Sequence, residues 1–401
     1  MTKYIICLGD GMADHPLESL GNKTPLEVAH TPSIDFISNH GHLGMVDTVP
    51  QGFSPGSDVA NMGILGFDPA HYYTGRGPIE AASLNVQCNE DDIIFRCNIV
   101  SLENDVMADF TADHISSEDS HQLINELNEG FKGTPIRFIA GVSYRHIMIA
   151  PASYANLTTV APHDITDKSV AEFWPHGENQ TSFKAIIDQA NTILKNSEIN
   201  KKRAANSTKR ANSIWPWSQG RYPQMESFQK KYNKTGGIVT AVDLLKGLGC
   251  LVQLETPDVP GATGFIDTNY ANKISAAKTI LENHDFCYIH IEAPDEAGHM
   301  GDPNLKIKAI EDFDTCVVKP MLDYMKENPD TVIMVLPDHP TPCAIKTHTH
   351  EPVPFCIYHQ NCLTTSGLSY TEKEAATTNV YYPTPWKLLS FFLNQDPNTI
   401  N

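Results

Sequence analysis

The chain has 401 residues, with 29 Lys and Arg against 48 Asp and Glu, giving a formal net charge of −19. That length predicts two domains, or one large domain with an insertion, and 41% hydrophobic residues suit a globular core. The acidic excess gives no electrostatic reason to bind nucleic acid or an anionic membrane, no run approaches the ~20 apolar residues that span a bilayer, and the start lacks a signal-like pattern. A cytoplasmic protein with a small-molecule partner is the expectation.

In chain order, the first apolar run, residues 4–8, ends at Gly9-Asp10-Gly11 and reads as a buried strand. Ser54 and Ser57 follow in a Gly/Pro turn ahead of an apolar, helix-like segment. From about residue 75 to 221 the pattern changes to strand-like pieces at 93–100, 136–139 and 145–149, one helical stretch at 183–194 and many turn residues. An α+β insertion explains that change. Its basic cluster, Lys201, Lys202, Arg203, Lys209 and Arg210, reads as a solvated helix end and loop rather than a nucleic-acid patch.

Beyond it, residues 237–248 and 305–326 have helical spacing. Residues 250–254, 286–291 and 332–336 read as strands that end in polar clusters. Strands alternating with helices predict an α/β sheet. Cys7, Cys97, Cys250 and Cys287 lie in apolar runs without a CxxC pair, so reduced thiols are expected.

The chemistry gathers at strand ends. Asp295 and His299, four residues apart, can share one helical face and converge on one ion. Asp338-His339 directly follows an apolar strand, where ligands of open α/β sheets collect, and Asp10 lies between two glycines at the end of the first strand. His348 and His350 precede a stiff Pro352-Val-Pro354 loop. Each feature alone is compatible with a turn or a surface helix. Together they form a nitrogen and oxygen ligand set large enough for two divalent metals, which suits in-line phosphoryl transfer. Ser57 either caps its helix or acts as a nucleophile at a helix N-terminus that favours anions.

These residues lie in segments that resemble the archaeal-type cofactor-independent (2,3-bisphosphoglycerate-independent) phosphoglycerate mutases of the alkaline phosphatase superfamily, a family that also has bacterial members. The matching segments include Leu8-Gly-Asp-Gly-Met-Ala-Asp14, Pro55-Gly-Ser-Asp-Val-Ala-Asn61, Gly75-Arg-Gly-Pro-Ile-Glu-Ala81, Phe95-Arg-Cys-Asn98, Pro162-His-Asp-Ile-Thr166, Glu292-Ala-Pro-Asp-Glu-Ala-Gly-His299, Leu336-Pro-Asp-His339 and His348-Thr-His-Glu-Pro-Val-Pro354. The resemblance implies an alkaline-phosphatase-like, discontinuous metal-binding α/β core, residues 1–74 and 222–401, interrupted by an inserted α+β cap, residues 75–221, that binds substrate.

By the same resemblance Ser57 is the phosphorylated nucleophile. Asp10, Ser57, Asp338 and His339 hold one metal; Asp295, His299 and His348 hold the other, with His350 as the fallback. Manganese is the first expectation for both ions, zinc or magnesium the alternatives. Arg76, Arg96 and Arg221, with His163 and Asp164, are the implied contacts of a small phosphorylated substrate. One departure stands out: Thr235 occupies the place of a family lysine, and Lys234 is the nearby replacement. The implied reaction is the glycolytic interconversion of 3-phosphoglycerate and 2-phosphoglycerate without bisphosphoglycerate. The alternatives are a homoserine kinase-like phosphotransferase of the same family and a metal-dependent phosphomonoesterase.

Overall fold

The computed structural model describes residues 2–205, 209–362 and 365–395. The chain divides into two units, Met1–Tyr73 with Met225–Asn401, and Thr74–Gln224.

In the first unit, seven strands form one sheet in the order Tyr381–Tyr382, His42–Val46, Val353–Tyr358, Thr331–Leu336, Lys3–Gly9, Phe286–Ile291, Gly236–Val239. Only Val353–Tyr358 runs antiparallel to its neighbours. The central strands are buried on both faces, as parallel strands under helices are. Ile5, Cys7, Ile289, Ile333 and Val335 all lie in one apolar cluster with Ile310, Phe313 and Val317. Each such side chain contributes roughly 1.5–3 kcal/mol through burial.

Register does the work that matters for function. Leu8 pairs with Leu336 and Gly9 with Ile291, so three strands end level. The residues that follow them, Asp10, Asp338-His339 and the helix Ala293–Met300, therefore share the carboxyl edge of the sheet.

Two expected elements differ. Residues 250–254 are not a strand: Cys250 and Leu251 end the helix Asp243–Leu251, and the strand is Gly236–Val239, which takes the first residues of the stretch 237–248 read as helix. Short apolar runs satisfy both periodicities, and the Gly236-Gly237 pair sits where side chains have no room. A Cβ on Gly236 would lie 2.2 Å from the Phe286 carbonyl oxygen. Cys250 is accordingly exposed, whereas Cys7, Cys97 and Cys287 are buried. The helix over 305–326 is real but interrupted: Pro303–Phe313 passes through a π turn, Asp314–Val318, into Lys319–Glu327. Pro320 explains the wider turn, because it lacks an N–H and its ring crowds the carbonyl one turn earlier.

The second unit is an antiparallel sheet around the long strand Ile93–Glu103, which pairs with Val106–Asp109, Arg145–Ala150 and Ser213–Gly220; Arg137–Ile139 pairs with Arg145–Ala150. Phe95, Cys97 and Ile99 bury against the helices Ser117–Gly130 and Gln180–Asn196, whose Leu123, Leu127, Phe183 and Ile187 share their cluster. Ile94, Ile147 and Ile149 face the other way, onto Ala81 of helix Arg76–Ser83. In the basic cluster, Arg203 is buried, bonded to the Ala112 carbonyl at 2.5 Å and facing Asp119 at 3.6 Å. Among the described residues no helix is long and apolar enough to cross a membrane.

Candidate active site

At the carboxyl edge of the large sheet, two groups of side chains converge: Asp10, Asp338 and His339, and Asp295, His299 and His348. Within each group one ligand atom per residue lies within 4.8 Å of the others.

Asp10, Asp338 and His339 are almost wholly buried. Nε2 of His339 stands 3.4 Å from Asp338 Oδ2 and 3.6 Å from Asp10 Oδ1. Asp338 is anchored by the Gly11 and His339 amides at 3.1 and 3.0 Å and by the Asn61 amide at 2.8 Å. Asn61 is itself fixed by the Tyr288 hydroxyl at 2.5 Å. Asp10 Oδ2 faces His290 Nε2 at 2.9 Å, and His290 Nδ1 faces the Thr240 hydroxyl at 3.2 Å. With Asp10 as the acceptor, His290 donates from Nε2, its Nδ1 accepts from the Thr240 hydroxyl, and that hydroxyl accepts from the Val242 amide. Among the described residues, Asp10 Oδ1 is buried without a hydrogen-bond partner. Burial, then the Asp338 and Asp295 charges, pushes the Asp10 carboxyl well above the usual range. A buried bare carboxylate oxygen aimed at an imidazole nitrogen and a second carboxylate fits a divalent cation.

The second group rests on the helix Ala293–Met300, whose four-residue spacing brings Asp295 Oδ2 and His299 Nε2 to 3.2 Å. His348 Nε2 lies 3.4 Å from Asp295 Oδ1 and 3.0 Å from His299 Nε2. Each ring directs Nδ1 at a carbonyl, His299 at Lys346 and His348 at Pro55. With each Nδ1 turned to a carbonyl, both Nε2 atoms, 3.0 Å apart, are directed at Asp295, where a bound cation would replace their protons. Burial works upward on Asp295, yet its bonds to His299 and His348 outweigh it and hold the carboxyl well below its usual range. The bond to Asp295 in turn raises His299 to about 9. This donor set too fits a divalent cation, so the site supports metal use. His350 is exposed and lies outside both groups.

Ser57 opens the helix Ser57–Ile64, with Gly56 as its cap and no side-chain capping bond. The hydroxyl instead lies 3.1 Å from His339 Nε2. A capping role is thereby excluded, and the oxygen stands at the mouth of the first ligand group.

In the second unit, Glu80 accepts a hydrogen bond from Arg76 Nε at 2.8 Å on one carboxylate oxygen and forms an ion pair with Arg96, whose Nε lies 2.8 Å from the other. Burial works upward on Glu80, but Arg96 and Arg76 together bring its carboxyl below the usual range. Arg96 is nearly buried, its guanidinium 4.6 Å from the Trp217 ring, and burial brings it down to about 10. The His163 ring packs edge-on against the same tryptophan at 5.4 Å, and Asp164 is exposed, 3.8 Å from it. Arg221 points elsewhere, to the Glu90 carbonyl and Asp91.

The expectation for Lys234 needs correction. Its ammonium lies 5.4 Å from the Tyr4 ring, at the amino end of the central strand, and Thr235 bonds His284 there. Seven residues of strand, roughly 20 Å, separate that edge from Asp10. Lys234 therefore lies at the opposite edge of the sheet from both ligand groups. Conversely, sequence reasoning missed His290, Asn61 and Thr341. His290 is hidden in an apolar strand, and its only signal is a position two residues before Glu292 at the same sheet edge.

Residues 38–200 match the family model described as 2,3-bisphosphoglycerate-independent phosphoglycerate mutase. The chain is 46% identical over 375 residues, 93% of its length and 94% of the relative's, to the 2,3-bisphosphoglycerate-independent phosphoglycerate mutase of Methanosarcina acetivorans. Among solved structures it is similar to a Pyrococcus horikoshii protein, with TM-score 0.80, 26% identity and coverage of 98% and 97% of the two chains. It is also similar to the cofactor-independent phosphoglycerate mutase of Thermoplasma acidophilum, with TM-score 0.66, 25% identity and coverage of 98% and 99%. With a strand-end carboxylate and histidine centre and a relative matched along nearly its whole length, this chain belongs to the 2,3-bisphosphoglycerate-independent phosphoglycerate mutase family.

Proposed function

We propose that this chain interconverts 3-phosphoglycerate and 2-phosphoglycerate without a bisphosphoglycerate cofactor, through a phosphoserine at Ser57. The observation that carries this reading is the placement of the Ser57 hydroxyl, uncommitted to capping and 3.1 Å from His339 Nε2, beside two clustered donor groups. We assign Asp10, Ser57, Asp338 and His339 to one divalent ion and Asp295, His299 and His348 to a second, with manganese the favoured ion. When bound, such ions acidify the hydroxyl and offset phosphoryl charge.

The chain's own groups then account for the rest. Ser57 Oγ forms a bond to phosphorus as the glycerate oxygen departs, and the serine proton ends on that oxygen. The glycerate turns, its other hydroxyl takes the phosphoryl group back, and the proton returns to Ser57. The helix amides beneath Ser57 favour the anion throughout. Arg76 and Arg96, oriented through Nε by Glu80, are the proposed contacts for carboxylate and phosphate, since a guanidinium fork matches both. His163 and Asp164 flank that cluster. Water must be kept from the phosphoserine, because its hydrolysis would yield a phosphatase.

The test is phosphorus NMR of manganese-loaded protein with 3-phosphoglycerate and no added bisphosphoglycerate, alongside tubes with ATP and homoserine. A 2-phosphoglycerate signal is expected. Free phosphate alone would indicate a phosphomonoesterase, and phosphohomoserine without mutase product a kinase; either result overturns the proposal.

A further inference from the structure

Thr341 lies between the two ligand groups and belongs to neither. Its hydroxyl is 2.5 Å from Asp295 Oδ1, in one group, and 3.3 Å from His339 Nδ1, in the other. Asp295 is a carboxylate with no proton to give, so the hydroxyl donates to it and accepts from His339 Nδ1–H. That single hydroxyl thus keeps the His339 proton on Nδ1 and leaves Nε2 as a lone pair facing Ser57, Asp10 and Asp338. It also fixes which oxygen of Asp295 faces His348.

The residue is held from several directions. Its amide donates to the Ala13 carbonyl at 3.1 Å, and its carbonyl accepts from Lys306 Nζ at 2.9 Å. Lys306 is fully buried and spends its other two protons on the Ala13 carbonyl and Asp14 Oδ2, at 3.0 and 2.8 Å. Asp14 in turn accepts from the Cys343 amide at 3.1 Å. These bonds lock the loop after Asp10 to the loop after His339. Two glycines close the space around Thr341: a Cβ on Gly11 would lie 2.5 Å from its hydroxyl oxygen, and one on Gly298 would lie 2.4 Å from its carbonyl oxygen. Gly11 also has a φ of +60°, which suits glycine.

We infer that Thr341, anchored by the buried Lys306–Asp14 pair, is a positioning residue that couples the two ligand groups and sets their spacing. This rests on the metal-centre reading above. Groups that orient ligands through hydrogen bonds typically alter metal affinity about 10- to 100-fold when removed.

The experiment titrates Mn2+ into the whole protein by calorimetry and records the Mn2+ EPR spectrum, for wild type, Thr341→Val and Thr341→Ser. Thr341→Val keeps the shape and deletes the hydroxyl; Thr341→Ala serves in its place if the valine variant does not fold. The expected result is an affinity loss of about 10- to 100-fold, with a changed Mn–Mn coupling pattern, and recovery of both in Thr341→Ser. A folded variant lacking the hydroxyl that binds Mn2+ with wild-type affinity and an unchanged spectrum overturns the positioning role. Failure of the serine variant to recover either property also overturns it, since packing rather than the hydroxyl would then matter. A wild-type protein that takes up no Mn2+ would instead defeat the metal-centre reading itself.

Discussion

His290 holds one oxygen of Asp10 at 2.9 Å while the other oxygen of the same buried carboxylate takes no hydrogen bond among the described residues. The imidazole thereby turns a symmetric carboxylate into a one-sided donor. Burial brings His290 down to about 4, so it stands neutral, with its Nε2 proton directed at Asp10. Replacing it with phenylalanine leaves Asp10 free to rotate and Oδ2 unsatisfied. The His290→Phe variant should bind Mn2+ about 10- to 100-fold more weakly in a calorimetric titration. Unchanged affinity would show that Asp10 needs no such orientation.

Ser57 makes no capping bond, so its hydroxyl contributes little to the helix Ser57–Ile64. Ser57→Ala should shift unfolding free energy by no more than about 0.5 kcal/mol while abolishing formation of 2-phosphoglycerate. Urea unfolding and the phosphorus NMR assay together check this. Full turnover in the alanine variant would rule out the phosphoserine route.

Lys234 provides a contrary case. Because it lies against Tyr4 at the amino edge of the sheet, Lys234→Ala should leave kcat/KM for 3-phosphoglycerate unchanged within a factor of about two, an effect below the ~0.5 kcal/mol of a surface substitution. A loss of 100-fold or more in a steady-state assay would mean that the lysine reaches the phosphoryl site after all.

The contrast between Lys234 and His290 shows what the sequence could carry. Asp10, Asp295, His299, Asp338 and His339 were legible because each follows a strand, or sits at helical spacing just beyond one, and level strand ends put such residues together, while His348 was legible from the stiff proline loop that leads into the antiparallel strand Val353–Tyr358. Lys234 fails the same logic: it precedes its strand, Gly236–Val239, so parallel register carries it to the opposite edge. Its proximity in sequence to a family position was not proximity in space. His290 and Thr341 act through hydrogen bonds spanning 280 and 46 residues, and no local pattern announces those. The misread start of the helix expected over 237–248, which begins only at Asp243, has a related cause. A short apolar run with two glycines fits either period, and only pairing with Phe286–Ile291 makes it a strand.

Acid should loosen the second unit through His146. This residue is 2% exposed on the strand Arg145–Ala150, and its Nδ1 accepts from the Gly141 amide at 3.1 Å. Burial, reinforced by nearby His121, brings its pKa down to about 3 from the ordinary 6.5. In that window the unfolded chain binds a proton that the folded chain refuses. Stability from this group is therefore complete above about pH 6.5 and lost as pH falls toward 3, with a limiting slope of about 1.4 kcal/mol per pH unit. His146→Asn keeps an acceptor for Gly141 and cannot titrate. Urea unfolding at pH 7.5, 5.5 and 4.5 should show wild type losing stability faster than this variant, with the gap opening only below pH 6.5. Parallel curves would mean that His146 takes up its proton in the folded protein as readily as in the unfolded chain, and that acid acts through other groups.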